Sequence, residues 1–324
     1  MSSLPDSTVR AGASSSNDRI LPPVVALVGP TGSGKSDIAL TAAQTAGAVI
    51  VAIDAFTVYR QMTIGTAKPT PAGRQLVPHF MVDVLDVEQD CTVQWFQSEA
   101  RTAIDTARRS GRPVLLVGGS GLYFRAVVDP LEFPPTDPLV RTRVGAAVAT
   151  DTAAAYAKLA AVDPDGAGRI DPGNVRRITR ALEVAELTGR PFSAFHAAWD
   201  DHTSIYPGLR VVGLDVSREE LVQRIHHRVG RMLAAGWLGE CRALADRTLS
   251  TSAAQAIGYA ELLAHLDSPR PQDDDALAAV HDAIAIRTRQ FAARQRRWFA
   301  RDPRVEWAAP DDAIPRLIAA LTGD

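Results

Sequence analysis

The chain has 324 residues, 46% of them hydrophobic and 22% charged, and a net charge of −2. That balance fits a soluble globular protein and excludes a globally basic nucleic-acid binder, so any such partner must be met by a local patch. Two isolated cysteines, Cys91 and Cys241, exclude a disulfide framework or Cys-x-x-Cys metal site and fit a reducing cytoplasm, and no apolar run reaches the ~18 residues needed to span a membrane.

In chain order, residues 1–22 are rich in Ser, Gly and Asp without an apolar stretch, and read as a disordered tail, not a signal peptide. Short β-branched apolar runs follow at 24–28, 49–53, 114–117 and 211–216, with a fainter one at 80–85, separated by helical patterns. Continuous apolar strands alternating with helices predict an α/β fold with a parallel sheet covered on both faces. Between 132 and 206 there is helical pattern but no strand, bracketed by proline-rich stretches, which predicts a helical insertion in a core made of 23–131 and 207–324. From 217 onward the pattern is mostly helical.

Gly29-Pro30-Thr31-Gly32-Ser33-Gly34-Lys35-Ser36 matches G-x-x-x-x-G-K-[ST], directly after the first strand and at the start of a helix. Such a P-loop wraps backbone N–H groups around a phosphate, the helix N-terminus adds positive potential, and the lysine adds a full charge. The Ser36 hydroxyl is suited to ligate Mg²⁺ bridging phosphate oxygens. The motif is specific for phosphate and silent on what the phosphate is attached to.

Asp54 ends the second strand, at the sheet edge where ligands bind in doubly wound folds, and is either a proton acceptor or a turn residue. Gly118-Gly119-Ser120-Gly121 follows the strand at 114; its glycines permit close backbone approach to a ligand and Ser120 offers a hydroxyl.

Together these motifs resemble those of the tRNA dimethylallyltransferases. The likeness runs through Asp54 with Val58-Tyr59-Arg60, Ile64-Gly65-Thr66-Ala67-Lys68-Pro69, Gly118–Tyr123 (Gly-Gly-Ser-Gly-Leu-Tyr), Arg177–Val184, Gln255-Ala256-Ile257-Gly258-Tyr259, Arg287–Gln290, Arg294-Gln295 and Trp298-Phe299. The resemblance implies a P-loop NTPase-like core that binds dimethylallyl diphosphate, with Mg²⁺, and an acceptor adenosine just 3′ of the tRNA anticodon. It implies Asp54 as general base, with Lys35 and Ser120 beside it, and Arg228 as a diphosphate ligand added to the P-loop. It implies tRNA contacts from Asp54, Ala55, Phe56, Thr57, Ser120, Arg141, Arg176, Arg177, Ile178, Thr179, Arg180, Gln255, Ala256, Ile257, Gly258, Tyr259, Arg287 and Arg294. The enzyme is expected to be a cytoplasmic monomer acting on the anticodon stem-loop. The acceptor base must leave the stack to reach the allylic carbon.

Residues 287–304 hold seven arginines against one acid, Asp302, with Arg287, Arg294 and Arg301 at seven-residue spacing, on one face if the helix continues that far. Alone this suggests a solvated helix face; beside such a site it suggests phosphate contacts. Where many relatives have Asp-Ser, this chain has Asp54-Ala55; Thr57 replaces Gln, and Arg176 stands where Gln is usual. His226-His227 is no metal pair by itself, because adjacent helical residues do not share a face. Rival readings are a dimethylallyltransferase acting on free AMP, an ATP-dependent P-loop kinase and a non-catalytic RNA-binding protein; Asp83 is a further Mg²⁺-ligand candidate or a structural residue.

Overall fold

The structure is a computed structural model, described for residues 21–195, 199, 201–268 and 273–323. Of the expected tail at 1–22, all but the last two residues lie outside those described. Six parallel strands form one sheet in the order β3-β2-β4-β1-β5-β6: β1 Val24–Val28, β2 Val49–Ile53, β3 His79–Phe80, β4 Val114–Gly118, β5 Arg210–Leu214 and β6 Val305–Ala308. The strands are apolar throughout because both faces are covered. Val24, Ala26 and Val28 of β1 enter one core and Val25 and Leu27 the other, as period-2 side-chain alternation requires.

Helices α1 (Lys35–Thr45) and α13 (Pro310–Thr322) cover the second face through Ile38, Ala42, Leu317 and Leu321. A short α2 (Pro71–Leu76) sits beside Leu40 of α1, and the larger first face takes α3 (Val93–Arg109) and α4 (Gly121–Val128). Between β4 and β5 the chain forms α5 (Pro138–Thr150), α6 (Thr152–Val162), α7 (Pro164–Ala167) and α8 (Val175–Thr188), built around a separate cluster that includes Val148, Leu159, Ile178 and Leu182. After β5 come α9 (Arg218–Ala234), α10 (Trp237–Leu244), α11 (Tyr259–Leu266) and α12 (Asp274–Phe299), which pack on the first face through residues such as Val229, Trp237, Tyr259 and Phe299. Among the described residues no helix is long and apolar enough to cross a membrane.

Three details depart from the sequence reading. The strand expected at 80–85 is only two residues long, because Met81 and Asp83 adopt left-handed backbone (φ 61° and 58°) that a ladder cannot continue. β6 was not anticipated: α12 stops at Phe299, and Asp302 Oδ1 accepts the Arg304 N–H at 3.1 Å in a turn that leads into the strand. Arg301 therefore leaves the helix face shared by Arg287 and Arg294. Tyr206, expected within the helical segment, is buried in the main core, and Ile205 N–H donates to Val128 O at 2.8 Å.

The register positions the site. Val28 and Ile53 both pair with Gly118, so β1, β2 and β4 end level. Gly29, Asp54 and Gly119 consequently leave the sheet side by side at its carboxyl edge.

Candidate active site

The P-loop joins β1 to α1. Gly34, the residue before α1, has φ 92°, a conformation open to glycine and strained for other residues. Lys35 Nζ donates to Gly29 O at 2.9 Å and Pro30 O at 2.7 Å. Burial, followed by the Arg228 charge, pushes its ammonium down to about 7, against the pull of Asp54. A neutral amine keeps two N–H donors, so both carbonyls stay satisfied in either protonation state. Ser36 is exposed and its hydroxyl has no hydrogen bond among the described residues, which leaves an oxygen donor suited to a hard cation. Ser33, by contrast, is fully buried.

Helix α9 lies over this loop. Arg228 Nη1 donates to Thr31 Oγ1 at 3.3 Å, and Arg224 Nη1 donates to Ser33 O at 3.2 Å. Burial lowers the Arg228 pKa, opposed by the Asp54 carboxylate. The end of α12 contributes Gln295, 5% exposed, whose Oε1 accepts the Thr31 N–H at 2.8 Å. In sequence Gln295 stands inside an arginine-rich motif, and nothing local shows that it reaches a loop 264 residues away.

Asp54 Oδ1 accepts the N–H of Phe56 at 2.8 Å and of Thr57 at 3.4 Å. Oδ2 makes no hydrogen bond among the described residues. The turn reading of Asp54 is thus observed in Oδ1, and the residue also lines a cavity. That cavity begins at Thr31, Arg228 and Asp54 and continues between Phe56, Met232, Trp237, Ile257, Tyr259 and Phe291, so it is charged at one end and apolar along its walls.

The apolar wall depends on a clamp that the sequence did not reveal. A Cβ on Gly65 would fall 2.3 Å from the Trp237 ring, and one on Gly258 2.0 Å from it, so the indole is held between two glycines. Glu240 secures the first of these loops by accepting N–H groups from Thr63 and Ile64, each at 2.9 Å, and also accepts the Tyr259 hydroxyl at 2.6 Å. Lys68 fixes the same loop from inside: its side chain is 2% exposed, donates to the Tyr59 carbonyl and pairs with Asp83 at 2.6 Å. Burial raises the Asp83 pKa, but hydrogen bonds from Lys68 and Arg74 outweigh it and hold the carboxyl low. Asp83 is therefore an ion-pair partner of Lys68 and Arg74.

The Gly118–Gly121 loop approaches protein atoms, not open space. Added Cβ atoms would lie 2.1 Å from Ile53 O at Gly118, 2.3 Å from Gln295 Nε2 at Gly119 and 1.9 Å from the Trp298 ring at Gly121. Ser120 is partly exposed and starts α4 without using its hydroxyl as a cap.

The residues expected to meet RNA divide sharply. Phe56 lines the cavity and Ala55 is partly exposed, while Thr57 turns inward toward Met81 O at 3.4 Å. Gln255 is exposed and Ile257 partly so; Ala256, Gly258 and Tyr259 are buried as packing for the cavity wall. In α8, Ile178 and Thr179 face the interior, leaving Arg176 and Arg177 exposed. Arg180 donates to Pro134 O and Pro135 O at 2.7 and 2.9 Å, and it shares buried Glu183 with Arg141, at 2.9 and 3.0 Å. Arg287 pairs with Glu261, while exposed Arg294 lies over the Phe291 ring at 5.9 Å. Arg304 is drawn into buried Asp129 and Asp302 and leaves the basic surface.

A family model described as IPP transferase matches residues 57–302, and one described as isopentenyl transferase matches residues 22–84. The chain is 46% identical to a tRNA dimethylallyltransferase from Kocuria rhizophila, covering 93% of each chain, and 48% identical to one from Kineococcus radiotolerans, covering 92% of this chain and 94% of the relative. Its fold superposes on the crystal structure of a tRNA isopentenylpyrophosphate transferase from Bacillus halodurans with a TM-score of 0.66 at 32% identity, covering 93% of this chain and 96% of the other. Similarity of this extent makes the chain a member of the IPP transferase family of tRNA dimethylallyltransferases.

Proposed function

We infer that this protein transfers a dimethylallyl group from dimethylallyl diphosphate to the exocyclic amine of the adenosine 3′ of the anticodon in tRNA. The observation that carries the reading is the cavity, where Thr31 of the phosphate loop, Arg228 and Asp54 open onto an apolar wall of Phe56, Met232, Trp237, Ile257 and Phe291 suited to a hydrocarbon chain. The diphosphate would take the P-loop, with Lys35, Arg224 and Arg228 around it. These charges stabilise the negative charge that builds on the leaving diphosphate as the allylic C–O bond breaks. Mg²⁺, held by Ser36 and diphosphate oxygens, would supply further neutralisation of that group. The apolar walls keep water from the electron-poor allylic carbon.

The adenine amine is a weak nucleophile because its lone pair is delocalised into the ring. As its nitrogen bonds to the allylic carbon, Asp54 Oδ2 accepts the proton while the two N–H groups on Oδ1 keep the carboxylate aimed. Arg176, Arg177 and Arg294 are exposed arginines suited to phosphate contacts, with the 132–206 helices forming part of the RNA-facing surface.

The test is incubation with radiolabelled dimethylallyl diphosphate and Mg²⁺, offering unmodified tRNA and AMP in parallel. Label in tRNA alone is expected. Label in AMP alone would move the acceptor to a free nucleotide, and label in neither, with ATP turnover instead, would make the protein a kinase.

A further inference from the structure

On the outer side of α9, away from the cavity, the chain assembles a group of side chains that the transfer reaction does not use. His226 of α9 meets His281 and Asp282 of α12, and their ligand atoms all lie within 4.8 Å of one another. His281 and Asp282 are neighbours in α12, yet their side chains bend together: Asp282 Oδ1 is 3.0 Å from His281 Nδ1 and 3.7 Å from His226 Nε2. Bonds of 2.0–2.1 Å to a tetrahedral cation separate its ligands by about 3.3 Å, so these gaps match a shared ion with only small side-chain adjustment.

The second observation lies behind His281, whose Nε2 is 3.2 Å from the backbone carbonyl of His226. A carbonyl only accepts, so in the tautomer protonated at Nε2 that contact is a hydrogen bond, and Nδ1, 3.0 Å from Asp282 Oδ1, is the ring atom left to bind a cation beside the carboxylate. A ring nitrogen donating to a backbone carbonyl while its other nitrogen points at a shared centre is the usual outer support of a metal-bound histidine.

We propose that His226, His281 and Asp282 bind one zinc ion that ties α9 to α12 across the back of the active site. Two imidazoles and one carboxylate favour a borderline cation such as Zn²⁺ over Mg²⁺, which takes oxygen ligands. An open hollow beside the three residues, lined by Gln223 and His227 among others, leaves the fourth position to water. The inner face of α9 carries Ile225, Arg228, Val229 and Met232 into the cavity, so the ion would hold the helix that bears the diphosphate arginine. A histidine pair adjacent in sequence gave no such site; the partners come from a second helix, 55 residues on from His226.

The test uses the full-length, untagged protein stripped with a chelator, with Zn²⁺ measured by calorimetric titration and Co²⁺ as a spectroscopic stand-in. One equivalent of Zn²⁺ should bind, Co²⁺ should give the intense visible bands of a four-coordinate nitrogen–oxygen site, and added Zn²⁺ should raise Tm. His226→Ala and Asp282→Asn should each weaken Zn²⁺ at least about 100-fold. Both residues are exposed, so Tm without metal should stay put in each variant. Failure to bind one equivalent, or unweakened binding in both variants, overturns the proposal and leaves His281 a hydrogen-bond partner of Asp282.

Discussion

Two glycine-rich loops leave neighbouring strands at the same edge of the sheet, and in sequence both announce close approach to a ligand. Gly29–Ser36 is ringed by cations: Lys35 and the α9 arginines surround the loop, and Ser36 presents an uncommitted hydroxyl. In Gly118–Gly121 the approach is to the protein itself, since Ile53 O, Gln295 and Trp298 occupy the space that side chains would need. A glycine says that something comes near; which neighbour comes near is decided by strands and helices far away in the chain.

The comparison can be broken or sharpened by substitution. The largest effect is expected at Asp54, which leaves β2 on the far side of the Gly118–Gly121 loop from the P-loop. Asp54→Asn should lower kcat by roughly 10²–10⁴-fold, the usual scale of a general base, with tRNA affinity and Tm nearly unchanged. Near-normal turnover would reduce Asp54 to its turn. Lys35→Ala should cost roughly 10²–10³-fold in kcat/KM as lost charge stabilisation, and the wild-type pH dependence gives an independent check. In the free protein the ammonium titrates at about 7, and a bound diphosphate favours the charged form. Binding above that pH must take up a proton, so diphosphate affinity should fall by up to roughly tenfold per pH unit as pH rises, and level off below it. A pH-independent affinity would mean that Lys35 is charged throughout.

The other loop should answer in stability. Gly118→Ala forces a methyl against the Ile53 carbonyl, a backbone atom that cannot swing away, at a cost of about 1–3 kcal/mol and a lowered Tm. If Tm held and only diphosphate KM rose, this loop too would be a ligand cradle.

The same distinction explains how much could be read beforehand. Strand periodicity carried the sheet and the P-loop motif carried the phosphate end, because both are encoded in adjacent residues. The clamp of Gly65, Trp237 and Gly258 was invisible as packing, although two of its members stood in recognised motifs, since nothing local ties a tryptophan to glycines far from it in sequence. Glu240 had no signal at all: it lies 177 residues from the N–H group of Thr63 that it binds. β6 was hidden because a short Val-Glu-Trp-Ala run after an arginine-rich helix looks like that helix's continuation until the Asp302 turn is seen.

Arginine composition was the least decisive signal, and it supports the smallest expected effect. Of the arginines expected at RNA, Arg141 and Arg180 neutralise buried Glu183, whereas Arg176, Arg177 and Arg294 keep exposed guanidinium groups. Arg294→Ala and Arg176→Ala should each remove about one phosphate contact, reducing the slope of log affinity against log salt by about 0.7–0.9 without moving Tm. Arg180→Ala should do the reverse: a Tm loss of about 1–3 kcal/mol equivalent, because two proline carbonyls and a share of Glu183 lose their donor, with little change in salt slope for the molecules that remain folded. Equal salt slopes in all three variants would mean that exposure alone does not select the arginines that meet RNA, and that the binding surface lies elsewhere on the molecule.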